Sequence, residues 1–353
     1  MHKVPATVVT GFLGAGKTTL IRHLLTADPN RRIALIVNEF GDLGFDGELL
    51  AECGIEGCGE DGIVELTNGC ICCTVAEEFT PAMEAILDRD PLPSHIVIET
   101  SGLALPQPLV RAFNWPSIKT RVSVDGVLVV VDGPAIESGQ FAHDLEAVGR
   151  QRTADENLDH ETPLSELFED QMACADLIVV NKCDELSSSA LKALRSKLRS
   201  DARQGVSVIA TTRGKVKPTV ALGLDAAAEA DLERRTEIHH VHDNGDDDED
   251  EAVHGHDEFE SFVIDLQEVS SESQLVGCVR DASREHDVLR LKGFAAIRNK
   301  PFRLVVQAVG PRVETYFDRP FSGSEPRRTQ LIAIAEAGID RDSVRAAFAG
   351  LSA

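Results

Sequence analysis

Short apolar runs alternate with helical stretches along the chain before residue 215. The runs at 4–10, 33–38, 95–100, 126–132, 177–181 and 206–210 are rich in β-branched residues and almost uninterrupted. That is the pattern of strands buried on both faces. Between them, residues 18–26, 81–88, 164–174 and 190–200 space their apolar positions as helices do. The alternation predicts an α/β fold built on a mostly parallel, doubly wound sheet. Ligands of such sheets bind beyond the carboxyl ends of the strands. Toward the C-terminus the texture changes. Strands are expected at 260–266, 303–309, 313–317 and 329–335, with helices at 271–284 and 341–351. This reads as a second, smaller α+β C-terminal domain of about ninety residues. No internal repeat is present.

Charge sharpens the boundary. The net charge is −24 over 353 residues, and residues 239–260 carry ten Asp and Glu, five of the eleven His and no Lys or Arg. Without that window the net charge is −14. So polar a segment has too little apolar surface to offset the entropy of ordering it. It divides the chain into an N-terminal domain at 1–222, an acidic His-rich linker at 223–258 and a C-terminal domain at 259–353. The linker is a solvated spacer or a weak, multi-site collector of divalent metal, and composition favours the spacer. With 42% hydrophobic residues the chain can build a full core, which excludes wholesale disorder. The acidic balance argues against nucleic-acid or anionic-membrane partners. No run of eighteen apolar residues occurs, and the N-terminus enters a strand directly, so a cytoplasmic protein is expected. In a reducing compartment the eight cysteines are metal ligands or core residues rather than disulfides.

Residues Gly11-Phe-Leu-Gly14-Ala15-Gly16-Lys17-Thr18 match G-x-x-x-x-G-K-[ST] in full, after a strand and before a helix. Glycines there let backbone N–H groups wrap phosphates, and the helix N-terminus adds partial positive charge. Lys17 is expected to neutralise β and γ oxygens, Thr18 to offer its hydroxyl to Mg²⁺, and Thr19 to lie alongside. Mg²⁺ usually needs a further carboxylate, and Glu99, ending a strand, is placed for it. Gly102 could offer its N–H to the γ-phosphate and act as a hinge. Asn181-Lys182-Cys183-Asp184 closes another strand. A carboxylate at Asp184 can accept from both the ring N–H and the exocyclic amine of guanine, which adenine cannot match. Asn181 would brace the loop and the Lys182 stem would cover the base.

Cys70, Cys72 and Cys73 put three thiols within four residues. Strain disfavours disulfides between such close neighbours, whereas thiolates converge readily on a borderline divalent ion with a fourth ligand open. Cys53, Cys58, Glu39 or a water could fill that position. A closed structural zinc site, or reduced buried thiols, are the alternatives. The trio lies between the Asn38–Glu39 turn and the Glu99 strand, an interval that feels the γ-phosphate in phosphate-loop enzymes. Metal and nucleotide should therefore be coupled. Asp42 and Asp46 extend the acidic loop, as a solvated turn or with a direct role.

Together, TGFLGAGKTTL (10–20), VNEFGDLGFD (37–46), ELTNGCICC (65–73), IETSGLALP (98–106) and NKCD (181–184) resemble the CobW family of metal-chaperone P-loop GTPases. CGIEGC (53–58) and the segment 160–182 resemble its cobalamin branch. The resemblance implies a P-loop NTPase fold, Mg-GTP binding, metal capture at the Cys-x-Cys-Cys motif and slow GTP hydrolysis. For the cobalamin branch it implies Co²⁺ delivered to the cobaltochelatase of aerobic cobalamin biosynthesis; a zinc chaperone GTPase of the same family, or a metal store or sensor without delivery, are the alternatives. It carries over Cys70, Cys72 and Cys73 as metal ligands, and Lys17, Thr18, Glu99, Asn181 and Asp184 as nucleotide-site residues. Leu103 follows Gly102, so the usual water-orienting glutamine is absent there and intrinsic turnover should be slow.

Overall fold

A computed structural model describes residues 3–28, 31–38, 63–66, 79–154, 163–224, 226, 228–230, 259–322 and 325–351. The chain divides into two compact units, Met1–Val253 and His254–Ala353.

In the first unit the apolar runs become strands: β1 (Val4–Thr10), β2 (Ile33–Asn38), β3 (Ile63–Leu66), β4 (His95–Glu99), β5 (Val122–Asp132), β6 (Leu177–Asn181) and β7 (Ser207–Ala210). They form one seven-stranded sheet in the order β3-β2-β4-β1-β5-β6-β7. Every pairing in it is parallel. Every residue of β4 and β6 is buried, as continuous apolar strands covered on both faces must be. Because the pairings are parallel, Thr10, Glu99, Asp132, Asn181 and Ala210 all end at one edge of the sheet. The register Val9↔Glu99, Asp132↔Asn181 and Val180↔Ala210 keeps those ends level.

Helix α1 (Lys17–Ala27) packs Leu20, Ile21, Leu24 and Leu25 inward. Phe79 and Phe113 meet edge-on at 5.4 Å within the main core. A satellite cluster joins Phe12 of the glycine loop to Leu103, Val148 and Leu167. Phe12, Phe141 and Phe168 stack there with centroids 5.2–6.2 Å apart. It ties the glycine loop to helices Leu145–Ala154 and Leu164–Cys174. The linker is expected from residue 223. In the structure Leu224, Ala226 and Ala228 are buried. The Glu229 carboxylate accepts from Val124 N–H at 2.9 Å, so these residues complete the packing on β5 instead. Residues 231–258 lie outside the described ones.

The second unit is a five-stranded antiparallel sheet, ordered β11-β10-β9-β12-β8. Its strands are β8 (Phe259–Leu266), β9 (Arg290–Ala296), β10 (Phe302–Val309), β11 (Arg312–Pro320) and β12 (Thr329–Glu336). Helices Glu272–Glu285 and Arg341–Phe348 close one face through Leu275, Val279, Val344 and Phe348. This is the α+β domain expected, with one strand more. No helix among the described residues is long and apolar enough to cross a membrane.

One buried polar network carries a pH consequence. Thr7 donates to Asp125 Oδ2 at 3.2 Å and lies 2.7 Å from His95 Nε2, while Gly223 N–H donates to the same Asp125 oxygen at 2.5 Å. Burial holds His95 well below its ordinary range, at about 4, against the opposing pull of Asp125. Below pH 6.5 the unfolded chain takes up a proton that the native imidazole refuses until about pH 4. Stability from this group is thus full above 6.5 and falls on acidification through that window. We expect the chain to lose about 2 kcal/mol between pH 7 and pH 5 from His95 alone. Denaturant unfolding of His95→Gln at both pH values checks it: equal slopes in wild type and variant would contradict the assignment.

Candidate functional site

The glycine loop between β1 and α1 is shaped by three left-handed or mirror-region glycines, Gly11 (φ 135°), Gly14 (φ 78°) and Gly16 (φ 101°). No β-branched or bulky residue adopts these angles without strain. Gly16 caps α1, so the first turn's N–H groups face the loop interior. Lys17 is buried within it, and its Nζ donates to Gly11 O at 2.8 Å and Phe12 O at 3.3 Å. Thr18 Oγ1 donates to Glu99 Oε1 at 2.9 Å, which joins the first turn of α1 to the end of β4. A hydroxyl and a carboxylate side by side, next to a phosphate-type loop, form a hard oxygen donor set that suits Mg²⁺. The two residues expected to share the ion are thus brought together.

Gly102 sits against the same loop. A Cβ there would lie 2.7 Å from Leu13 N and 3.3 Å from Gln151 Oε1. Its carbonyl accepts from Gln171 Nε2 at 3.2 Å, and the same amide reaches Ala104 O at 3.2 Å. Gly102, the candidate hinge, is therefore held by a buried glutamine on helix Leu164–Cys174, a partner not expected from sequence.

The Asn181–Asp184 segment meets the glycine loop directly. Asn181 Nδ2 donates to Ala15 O at 2.9 Å, and its Oδ1 accepts from Gly214 N–H at 3.0 Å. One buried amide thus braces two loops, the bracing role expected of it. Lys182 adopts a left-handed backbone, and its Nζ lies 2.5 Å from Asp132 Oδ2. Asp132 is buried at the end of β5 and also accepts from Ala135 N–H at 3.1 Å, so it anchors the lysine. Asp184 is exposed at the cavity rim.

Two adjoining cavities follow this line. One of about 350 Å³ is lined by Lys17, Thr18 and Glu99, and one of about 790 Å³ by Asn181, Lys182, Asp184, Arg213 and Lys215. Gly14, Gly16, Thr19 and Arg22 line both. In so acidic a chain, Lys17, Arg22, Lys182, Arg213 and Lys215 concentrate positive charge where an anion would lie. Burial, with the Lys215 ammonium nearby, holds His23 below its ordinary range. The loop after β7 supplies Arg213, Gly214 and Lys215. A glycine between two cations at a parallel strand's end was its sequence signature, but it belongs to no general motif. A run of phosphate cradle, carboxylate-hydroxyl pair, braced hinge and distal carboxylate can bind a magnesium nucleoside triphosphate with its base toward Asp184.

Glu39, Asp42, Asp46, Cys53, Cys58, Cys70, Cys72 and Cys73 lie outside the described residues. Among the described residues no cluster of three or more His, Cys, Asp and Glu is arranged to hold a metal. Cys174 is buried and Cys183 and Cys278 are half-buried, and none of the three is in a disulfide.

The sequence model of the CobW/HypB/UreG nucleotide-binding domain matches residues 5–209, and that of the cobalamin synthesis protein CobW C-terminal domain matches 259–352. The chain is 50% identical over 350 residues to a zinc chaperone CobW of a Sinorhizobium species, covering 99% of this chain and 97% of that one. It is 49% identical over 340 residues to the zinc chaperone CobW of Pseudomonas aeruginosa, covering 95% of this chain and 88% of the other. Among solved structures, the Zn(II)-bound YjiA GTPase from E. coli aligns over 100% of both chains at 22% identity with a TM-score of 0.41.

Proposed function

Since the chain belongs to the CobW/HypB/UreG family of nucleotide-binding proteins, we propose that it is a GTP-hydrolysing metallochaperone. It captures a divalent ion at Cys70, Cys72 and Cys73 in its Mg-GTP state and releases it to an acceptor protein after hydrolysis. Lys17 neutralises the β and γ oxygens, and the Gly102 N–H meets the γ-phosphate with its carbonyl fixed by Gln171. Thr18 and Glu99 would hold Mg²⁺, which neutralises developing charge on the phosphates. Asp184 reads guanine while Asn181 keeps its loop against the cradle.

One observation supports coupling between the nucleotide and the thiols. β3 pairs with β2 through Asn38↔Leu66, and β2 pairs with β4 through Val37↔Glu99. The strand that leads into the Cys-x-Cys-Cys segment therefore ends at the same edge as Glu99, two strand spacings or about 10 Å away. Cys70 follows Leu66 by four residues. Chain leaving that edge can feel whether the γ-phosphate is present.

The names of the two 50% and 49% identical relatives favour Zn²⁺ as the cargo. Co²⁺ destined for the cobaltochelatase is the second reading, favoured by the branch-like segments 53–58 and 160–182 and by the C-terminal domain match. Thiolate donors do not choose between the two ions. Titration of the purified chain with Co²⁺, then competition with Zn²⁺, tests the reading in Mg-GDP and in a non-hydrolysable Mg-GTP analogue. We expect a thiolate-to-cobalt band that strengthens at least tenfold in apparent affinity with the triphosphate, about 1.4 kcal/mol of coupling. Cys72→Ala should abolish the band with GTP affinity nearly intact. Equal metal affinity in both nucleotide states would sink the chaperone cycle.

A further inference from the structure

Leu103 is fully buried in the satellite cluster and cannot turn toward a phosphate. The position after the hinge glycine therefore supplies no amide to orient water. Another element brings one to the same place. Helix Leu145–Ala154 is pinned by Val148, which packs in the cluster with Phe12 and Leu103. Gln151 is one turn further on, on the same helix face. Its Oε1 is buried and has no hydrogen-bond partner. It lies 3.3 Å from the point where a Gly102 Cβ would stand, and that point is 2.7 Å from Leu13 N. Leu13 lines the smaller cavity together with Lys17, Thr18 and Glu99. A carboxamide oxygen thus reaches the wall of the phosphate end, close to the N–H assigned to the γ-phosphate.

A buried acceptor left unsatisfied is costly, and it persists where a ligand or water completes it. Ser101 Oγ, the neighbour of Gly102, is likewise buried without a partner. Gln171 Oε1, on the amide that holds Gly102, is a third such atom. Three buried, unpartnered oxygens thus surround one glycine that packs against the phosphate cradle.

We propose that Gln151 is the catalytic residue that orients the attacking water in GTP hydrolysis. This rests on the GTPase reading above. Gln151 Oε1 accepts a hydrogen bond from the water and aims its lone pair at the γ-phosphorus. The water oxygen forms the new P–O bond, the bond to the β,γ-bridging oxygen breaks, and the water's proton passes to the released phosphate. The amide takes no proton and acts by alignment alone. Supply of the glutamine by a helix outside the hinge loop, through a contact that small shifts can open, accords with slow intrinsic turnover.

Single-turnover hydrolysis of GTP, affinity for a fluorescent GTP analogue, and formation of the GDP–aluminium fluoride complex decide it for the full chain. Gln151→Leu and Gln151→Ala should slow hydrolysis by about tenfold to hundredfold, as loss of one transition-state hydrogen bond does. GTP and GDP affinities should stay within about twofold, and the aluminium fluoride complex should weaken in step with the rate. Gln151→Glu, which keeps an acceptor oxygen, should fall between. A wild-type rate in Gln151→Leu, or rate losses matched by losses in GTP affinity, would overturn the assignment. A wild-type chain that binds GTP but never hydrolyses it would overturn the GTPase reading first, and the assignment with it.

Discussion

Lys17→Ala should lower affinity for guanine nucleoside triphosphate at least a hundredfold while leaving the fold standing. The ammonium lies inside the glycine loop, largely out of water, within 2.8 Å of Gly11 O and 3.3 Å of Phe12 O. Those contacts fix its direction before a phosphate arrives, so little entropy remains to be lost on binding. A charge-assisted hydrogen bond to a phosphate oxygen contributes about 1.5–3 kcal/mol, and the lysine can reach two of them. Arg22 lines both cavities, yet its side chain starts from the second turn of α1 and is no substitute at the buried end. Lys17→Arg should fail nearly as badly, because a planar fork needs more room than a point charge in the same space. Removing the lysine also strands two loop carbonyls, which should lower the melting temperature by only a few degrees. Titration with a fluorescent GTP analogue measures the first effect and thermal unfolding the second. An affinity within threefold of wild type would mean that the phosphates do not lie where the loop points.

The parts of this fold that read most clearly from sequence are those in which local pattern and global burial agree. Residues 164–174 and 177–181 are helix and strand with the bounds expected, because apolar spacing, length and flanking polar residues all point one way. β3 was not visible: four residues, Ile63–Leu66, carry too little periodicity, and only pairing with β2 makes them a strand. β9 was hidden by Arg290, Lys292 and Gly293. The glycine that weakens its pattern is required there, since a Cβ at Gly293 would stand 2.0 Å from Gln330 O on the neighbouring strand. Likewise, the helix Leu145–Ala154 is mostly polar and gives a weak sequence pattern, yet Val148 anchors it in the satellite cluster.

The site divides along the same line. Phosphate loops and base-reading motifs are contiguous in sequence, so their geometry is written locally. Gln171, Asp132, Gly214 and Gln151 act through tertiary approach, and each is an ordinary residue in its own stretch of chain. Asn181 shows why the two kinds cannot be separated. Its motif role is legible from four residues, but its partners, Ala15 O and Gly214 N, come from a loop far upstream in sequence and another downstream.

Gly11→Ala should be the most damaging single change in the nucleotide-binding unit, and Gly14→Ala in the same loop among the mildest. Both glycines have positive φ, so each pays the left-handed or mirror-region cost of about 1–2 kcal/mol when it gains a Cβ. Space decides the rest. At Gly14 nothing lies within 4 Å of the added carbon. At Gly11 it would meet Val130 O at 2.1 Å, Val130 C at 3.0 Å and Val130 N at 3.2 Å. That neighbour is backbone of a buried strand, two residues before its end, and cannot rotate away as a side chain would. Relief requires β1 and β5 to part where Thr10 pairs with Val129, at the centre of the sheet. We expect a loss of more than about 4 kcal/mol for Gly11→Ala, with much of the protein recovered insoluble, against about 1 kcal/mol for Gly14→Ala. Denaturant unfolding of the soluble fractions compares them directly. If the two variants unfold together, the glycine at the head of the loop is there for flexibility alone, and close passage of β5 behind it is not what the fold requires.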